Sequence, residues 1–84
     1  MAKDKILVVD YEEHIQELLR FNLENTGYRV ICADNGLDAL KIARDEMPQL
    51  ILLDSMLPEM DGYEVCKEIR KDTSIYNIPI IKKN

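Results

Sequence analysis

Two short runs of branched apolar residues, 6–9 (ILVV) and 50–53 (LILL), each stop on an aspartate, Asp10 and Asp54. Four such residues without alternation form the pattern of a strand buried on both faces, as in parallel sheets. In open parallel sheets, ligand chemistry collects beyond the carboxyl ends of the strands. If the two runs lie side by side, their aspartates share one edge. The other reading of each aspartate is a helix N-cap, a position it serves by accepting a backbone N–H. Spacing alone leaves both readings open.

The rest of the chain bears on that choice. Residues 12–26 carry Ile15, Leu18, Leu19 and Leu23 at helical spacing, which predicts one apolar face, with Glu12 and Glu13 at the dipole-favoured start. Gly27 is the expected stop, and 28–33 is the expected second strand. Asp34 or Asn35 caps a second helix over 37–47, whose buried side is Ala39, Leu40, Ala43 and Met47 and which ends at Pro48. A third helix is predicted from Asp61 or Gly62 to Lys71, with Asp61 and Glu64 spaced as in a capping box. A loop over 74–77 leads to a fourth strand over 78–81, with Pro79 inside it.

Strands alternating with helices imply an α/β fold with a parallel sheet and right-handed crossovers. In the doubly wound arrangement the second and third strands flank the first, and the switch point falls between the first and third. Those are the strands that end in Asp10 and Asp54, so this topology favours a shared acidic site over two separate caps. Two carboxylates beside a loop carbonyl form a hard, oxygen-rich site of the kind that suits Mg²⁺. A carboxylate also acts as a nucleophile toward phosphorus, and catalysis of that step is mostly positioning and charge neutralisation. Asp54, at the top of the central strand, is the better nucleophile. Hydrolysis by general acid/base work is the weaker reading, because no Ser/His/Asp set, Gly-rich phosphate loop or Cys/His cluster is present.

Composition narrows the class. The chain has 84 residues, 46% hydrophobic and 32% charged, enough for one small domain or a piece of one. A net charge of -5 without a basic cluster argues against nucleic-acid binding by this segment. No stretch has the length of a membrane span, and the N-terminus has no signal-peptide pattern, so cytoplasmic residence is the expectation. Cys32 and Cys66 lack metal-type spacing and read as buried, reduced packing residues. His14, among Glu12, Glu13 and Gln16, reads as solvated and non-catalytic.

The residues resemble the receiver domain of two-component response regulators, a flavodoxin-like fold. The matching pieces are KILVVD (5–10), ADNGLDAL (33–40), PQLILLDSMLPEMDGYEV (48–65) and IPII (78–81). The D-x-M-L-P-x-M-D-G stretch from Asp54 to Gly62 is the most specific of them. The resemblance implies strand order 2-1-3-4, with the family's fifth strand and last two helices lacking from these residues. It implies that Asp54 is the phosphate acceptor, that Asp10, Asp54 and the Met56 backbone carbonyl hold Mg²⁺, and that the donor is a phosphohistidine on a sensor histidine kinase.

The sequence departs from the family pattern in three places. Tyr11 stands where a second acid usually binds the metal, and a phenol with a pKa of about 10 is a poor Mg²⁺ ligand at neutral pH. Glu12 or Glu13 would have to substitute. Ser55 stands at an often apolar position, and its hydroxyl is expected to pair with backbone. Lys82, Lys83 and Asn84 follow the fourth strand, with Asn84 where a phosphate-contacting hydroxyl belongs. These departures imply impaired phosphotransfer and weakened Mg²⁺ binding. The alternative is a receiver-derived piece that cannot be phosphorylated and self-associates through a bare sheet face or the fourth-strand edge, with Lys82 and Lys83 as edge-blocking or solubilising charges.

Overall fold

The computed structural model describes residues 3–83. In chain order it contains β1 (Lys5–Val9), α1 (Glu13–Asn25), β2 (Arg29–Ala33), α2 (Gly36–Glu46), β3 (Leu50–Asp54), α3 (Gly62–Lys71) and β4 (Ile80–Lys83). The four strands form one parallel sheet in the order β2-β1-β3-β4. That is the expected order, with β1 and β3 adjacent and β4 at an edge.

Packing divides by face. On one face Leu7, Val9, Ile51 and Leu53 pack with Ala39, Leu40 and Ala43 of α2 and Val65 and Ile69 of α3. On the other, Ile6, Val8 and Val30 pack with half-buried Leu19 and Leu23 of α1 and with Leu50 and Leu52. β3 is therefore not buried equally on both faces: Ile51 and Leu53 are fully buried, whereas Leu50 and Leu52 are only half-buried. The cause is the seat of α1, which lies over β1 and β2. For the same reason no residue of α1 is fully buried, and Leu18, expected on its apolar face, is exposed.

Local chemistry sets the helix ends. α1 stops in a Schellman arrangement: the Tyr28 N–H donates to the Leu23 carbonyl and the Gly27 N–H to Glu24, with Gly27 at φ 103°. Asn35 caps α2, accepting the Asp38 N–H at 2.9 Å. Asp61 caps α3 in the same way through Glu64, at 3.0 Å. Met47 is not on the buried side of α2. It is the C-cap, in the left-handed region and exposed, because Pro48 bars another helical turn.

β4 begins two residues later than expected. Pro79 has no N–H for the ladder, and only its carbonyl takes part, accepting the Ile51 N–H at 3.0 Å. Ile78 instead closes the preceding turn onto Ile75, and both are buried. Lys82 and Lys83 therefore lie inside the strand rather than beyond it. Cys32 and Cys66 are free thiols, as expected, but half-buried rather than buried. Burial pushes the Cys32 thiol up, against the opposing pull of the Arg20 guanidinium. His14 is exposed.

Asp72 ties α3 to α2 just before that turn. Its carboxylate accepts the Ser74 hydroxyl at 2.6 Å, the Arg44 Nε–H at 2.7 Å and the Ser74 N–H at 2.9 Å. These bonds hold its pKa at about 2, below the ordinary 3.8, the Ser74 hydroxyl contributing most. A carboxyl depressed on folding stabilises the fold above its unfolded pKa and loses that contribution as pH falls through the folded value. Urea midpoints are expected to fall as pH drops from 3.8 toward 2, and Asp72→Asn should flatten that part of the profile. Identical acid profiles for the two proteins would refute this.

Candidate functional site

The register of the sheet assembles the site. β1 and β3 pair from Ile6 with Leu50 to Val9 with Leu53. One step further along the same register, Asp10 and Asp54 are neighbours at the carboxyl edge. Across β3, Asp54 pairs with Lys83 of β4. Three charged residues thus occupy one row, with Asp54 in the middle.

Asp10 is 1% exposed and has a partner for each carboxylate oxygen. Oδ1 accepts the Glu12 N–H at 2.9 Å, and Oδ2 accepts the Lys83 ammonium at 2.7 Å. Its backbone is fixed as well, with the N–H on the Ala33 carbonyl and the carbonyl accepting Gln16 Nε2. Asp54 repeats the local turn: its Oδ1 accepts the Met56 N–H at 3.0 Å. A carboxylate bonded to the amide two residues on makes an Asx-turn. Neither aspartate is a helix cap, since Glu12 holds that position for α1 and Asp61 for α3. Among the described residues, Asp54 has no ion pair, and its Oδ2 accepts no hydrogen bond.

The remaining candidates lie around this pair. Tyr11 is 63% exposed, and the Glu12 and Glu13 side chains are also exposed. The Met56 side chain points to solvent, while Leu57 anchors the loop in the core. The Ser55 hydroxyl makes none of the hydrogen bonds formed among the described residues, so the expected pairing with backbone is absent. Asn84 lies outside the described residues. Beside Asp54 is an apolar cavity of about 140 Å³ lined by Val8, Leu19, Leu52 and Ile81.

As it stands, the donor set is blocked to a divalent cation by Lys83 on Asp10. Among the described residues no three His, Cys, Asp or Glu side chains cluster to hold one. Of the two acids present, Asp10 already holds a cation, and Mg²⁺ demands near-ideal octahedral oxygen geometry.

The Lys83 contact was missed in the sequence, where Lys82 and Lys83 read as end charges. Strand alternation offered a signal, because Lys83 falls two residues after Ile81, on the face that Asp54 shares. Finding it required knowing where β4 begins. Lys82 is also engaged, its Nζ lying 3.5 Å from the centroid of the Tyr63 ring.

Parallel order 2-1-3-4 with paired aspartates at the switch point defines a class, and comparison with known proteins agrees with it. Residues 6–82 match the response regulator receiver domain, and the chain belongs to that family. It is 55% identical over 74 residues to the alkaline phosphatase synthesis transcriptional regulatory protein PhoP of Bacillus subtilis. It is 51% identical over 79 residues to the probable transcriptional regulator ycf27 of Porphyra purpurea. Those matches take in 88% and 94% of this chain but 31% of either relative's length. Among solved structures, the N-terminal domain of a response regulator receiver protein from Methanoculleus marisnigri superposes with a TM-score of 0.91 at 37% identity, over 93% of this chain and 63% of that one. The receiver domain of a sensor histidine kinase from Pseudomonas aeruginosa, with magnesium coordinated in its active site cleft, gives 0.91 at 33% identity, over 96% of this chain and 66% of that one.

One glycine holds the Asp54 loop in place. A Cβ on Gly62 would lie 2.7 Å from the Ser55 Cα and 2.9 Å from the Asp54 carbonyl oxygen. Both are backbone atoms, so the first turn of α3 seats on the end of β3 only without a side chain there. Gly62→Ala is expected to cost about 1–3 kcal/mol, as overpacking does, and to shift the amide resonances of residues 54–56. An unchanged urea midpoint with unmoved resonances would contradict this.

Proposed function

We propose that this chain is a phosphoacceptor module of two-component signalling in which Asp54 takes a phosphoryl group from a phosphohistidine on a sensor histidine kinase, with low efficiency. The observation that carries the reading is the state of Asp54: it ends β3 beside Asp10, with Oδ1 oriented by the Met56 N–H and Oδ2 unengaged among the described residues. In the transfer, Oδ2 attacks phosphorus and an O–P bond forms. The P–N bond to the donor histidine breaks, and its electron pair stays on the imidazole nitrogen. The Met56 N–H holds the carboxylate in line, and the Lys83 ammonium is the positive charge nearest the acid pair. The low efficiency follows from Tyr11, exposed where receivers of this type carry a second acid, and from an acid pair that does not fit Mg²⁺ as it stands.

Intact mass after incubation with an acyl phosphate donor tests the reading. A single phosphoryl adduct, formed slowly and lost in Asp54→Asn, is the expected result. No adduct at any donor concentration, or one that survives in Asp54→Asn, would overturn it.

A second reading, self-association with another copy of this chain, has one specific observation in its favour. The two lysines of β4 do not guard its outer edge, because one side chain lies over Tyr63 and the other reaches Asp10. Among the described residues no strand pairs with that edge, and Ile81 beside it is 55% exposed. Two such edges related by a two-fold axis complement each other. Light scattering should then show a mass that rises with concentration, and Ile81→Glu should hold it at the monomer. A monomer throughout removes this reading.

A further inference from the structure

Lys83 reaches Asp10 across an intervening strand. It belongs to β4 and Asp10 follows β1, and β3 lies between them. Strands in a sheet are about 4.8 Å apart, so the Lys83 and Asp10 side chains and the contact between them together bridge roughly two such spacings over the end of β3. Asp54 is the residue it passes, because Asp54 is its register partner. The ammonium arrives 2.7 Å from Asp10 Oδ2 while the lysine side chain is still 42% exposed. A partly exposed lysine is well hydrated without a partner. The reason for the reach is therefore at the other end, where a buried carboxylate is costly until a counter-charge pairs with it.

We infer that Lys83 is the built-in cation of this site: its ammonium neutralises Asp10 beside Asp54, and a divalent cation enters only by displacing it. Two features make the displacement necessary. Both Asp10 oxygens are already engaged, Oδ1 by the Glu12 N–H and Oδ2 by the Lys83 ammonium, so a metal meets a bonded donor at either one. An ammonium and a Mg²⁺ within a few ångströms of each other also repel strongly in a partly buried setting. Lysine is suited to the role as a compact point charge on a flexible stem. The identity of the excluded ion rests on the receiver reading. The exclusion itself is a property of these three residues and holds whether or not Asp54 is ever phosphorylated.

The test is Mg²⁺ binding to the intact chain without any phosphodonor, followed by calorimetry and by the amide resonances of residues 10–12 and 54–56. Lys83→Met is expected to bind Mg²⁺ at least about tenfold more tightly than the unaltered chain, the scale on which removing one nearby like charge acts. Lys83→Arg should stay as weak as the parent, and Lys82→Met should leave the affinity unchanged. Equal affinities for the parent and Lys83→Met overturn the inference, as does weaker binding by Lys83→Met.

A second measurement needs no variant. Acetylation of Lys83 in the unaltered chain, read by peptide mass against exposed Lys67, should accelerate as Mg²⁺ saturates the site. A Lys83 labelling rate indifferent to Mg²⁺ at saturation also overturns the inference. A phosphoryl adduct on Asp54 together with a Lys83-independent Mg²⁺ affinity removes this inference alone. A tenfold gain in Lys83→Met without any adduct removes only the phosphoacceptor reading.

Discussion

The parallel pairing of β1 with β3 is the constraint on which the molecule depends. It brings together segments more than forty positions apart, from Ile6 with Leu50 to Val9 with Leu53. Its hydrogen bonds stay dry because both strands are interior to the sheet and their inward residues are fully buried. The chemistry is a by-product of that packing. Once the apolar runs are in register, the aspartates that end them must be neighbours. The pairing favours folding, while the proximity of two acids opposes it, and a counter-charge is needed at the edge.

The central part of this was legible in the sequence. The apolar runs, the alternation of periods and the stop residues gave the element order, the switch point and the two aspartates. Those features are local and carry strong side-chain preferences. What escaped depends on how elements seat against one another. Leu18 and Met47 fall at helical spacing in the sequence, yet one faces open water because α1 sits off-centre on the sheet and the other lies past the end of α2 at a left-handed cap. The start of β4 was misplaced because Ile78 and Pro79 look like strand residues, whereas the turn onto Ile75 claims Ile78 and the missing N–H disqualifies Pro79. That slip of two residues hid the place of Lys83 in the acid row.

The charge arrangement of the site differs from the one that family resemblance suggests. The relative from Pseudomonas aeruginosa carries magnesium in its cleft. Here the positive charge on Asp10 comes from the chain itself, through a residue whose backbone also accepts the Ser55 N–H at 3.0 Å. Lys83 is thus joined to the site twice, by main chain to the loop that follows Asp54 and by side chain to Asp10. Asp54 is left as the less encumbered of the two acids.

The Arg70 guanidinium gives the edge strand a mechanical character. It donates to the carbonyls of Tyr76 and Ile78 at 2.6 and 2.8 Å, so the last turn of α3 grips the approach to β4. The far end of the strand is fastened by Lys83 to Asp10. β4 is therefore a short beam clamped at both ends by cations, one clamp in the helix layer and one in the acid pocket. Any species that claims the Asp10 carboxylate releases only the side-chain clamp, while Arg70 and the ladder to β3, with the Ser55 N–H on the Lys83 carbonyl, still hold the strand. The strand is thus tied to the helix layer and to β3 by main-chain acceptors, and to the acid pocket by a single ammonium.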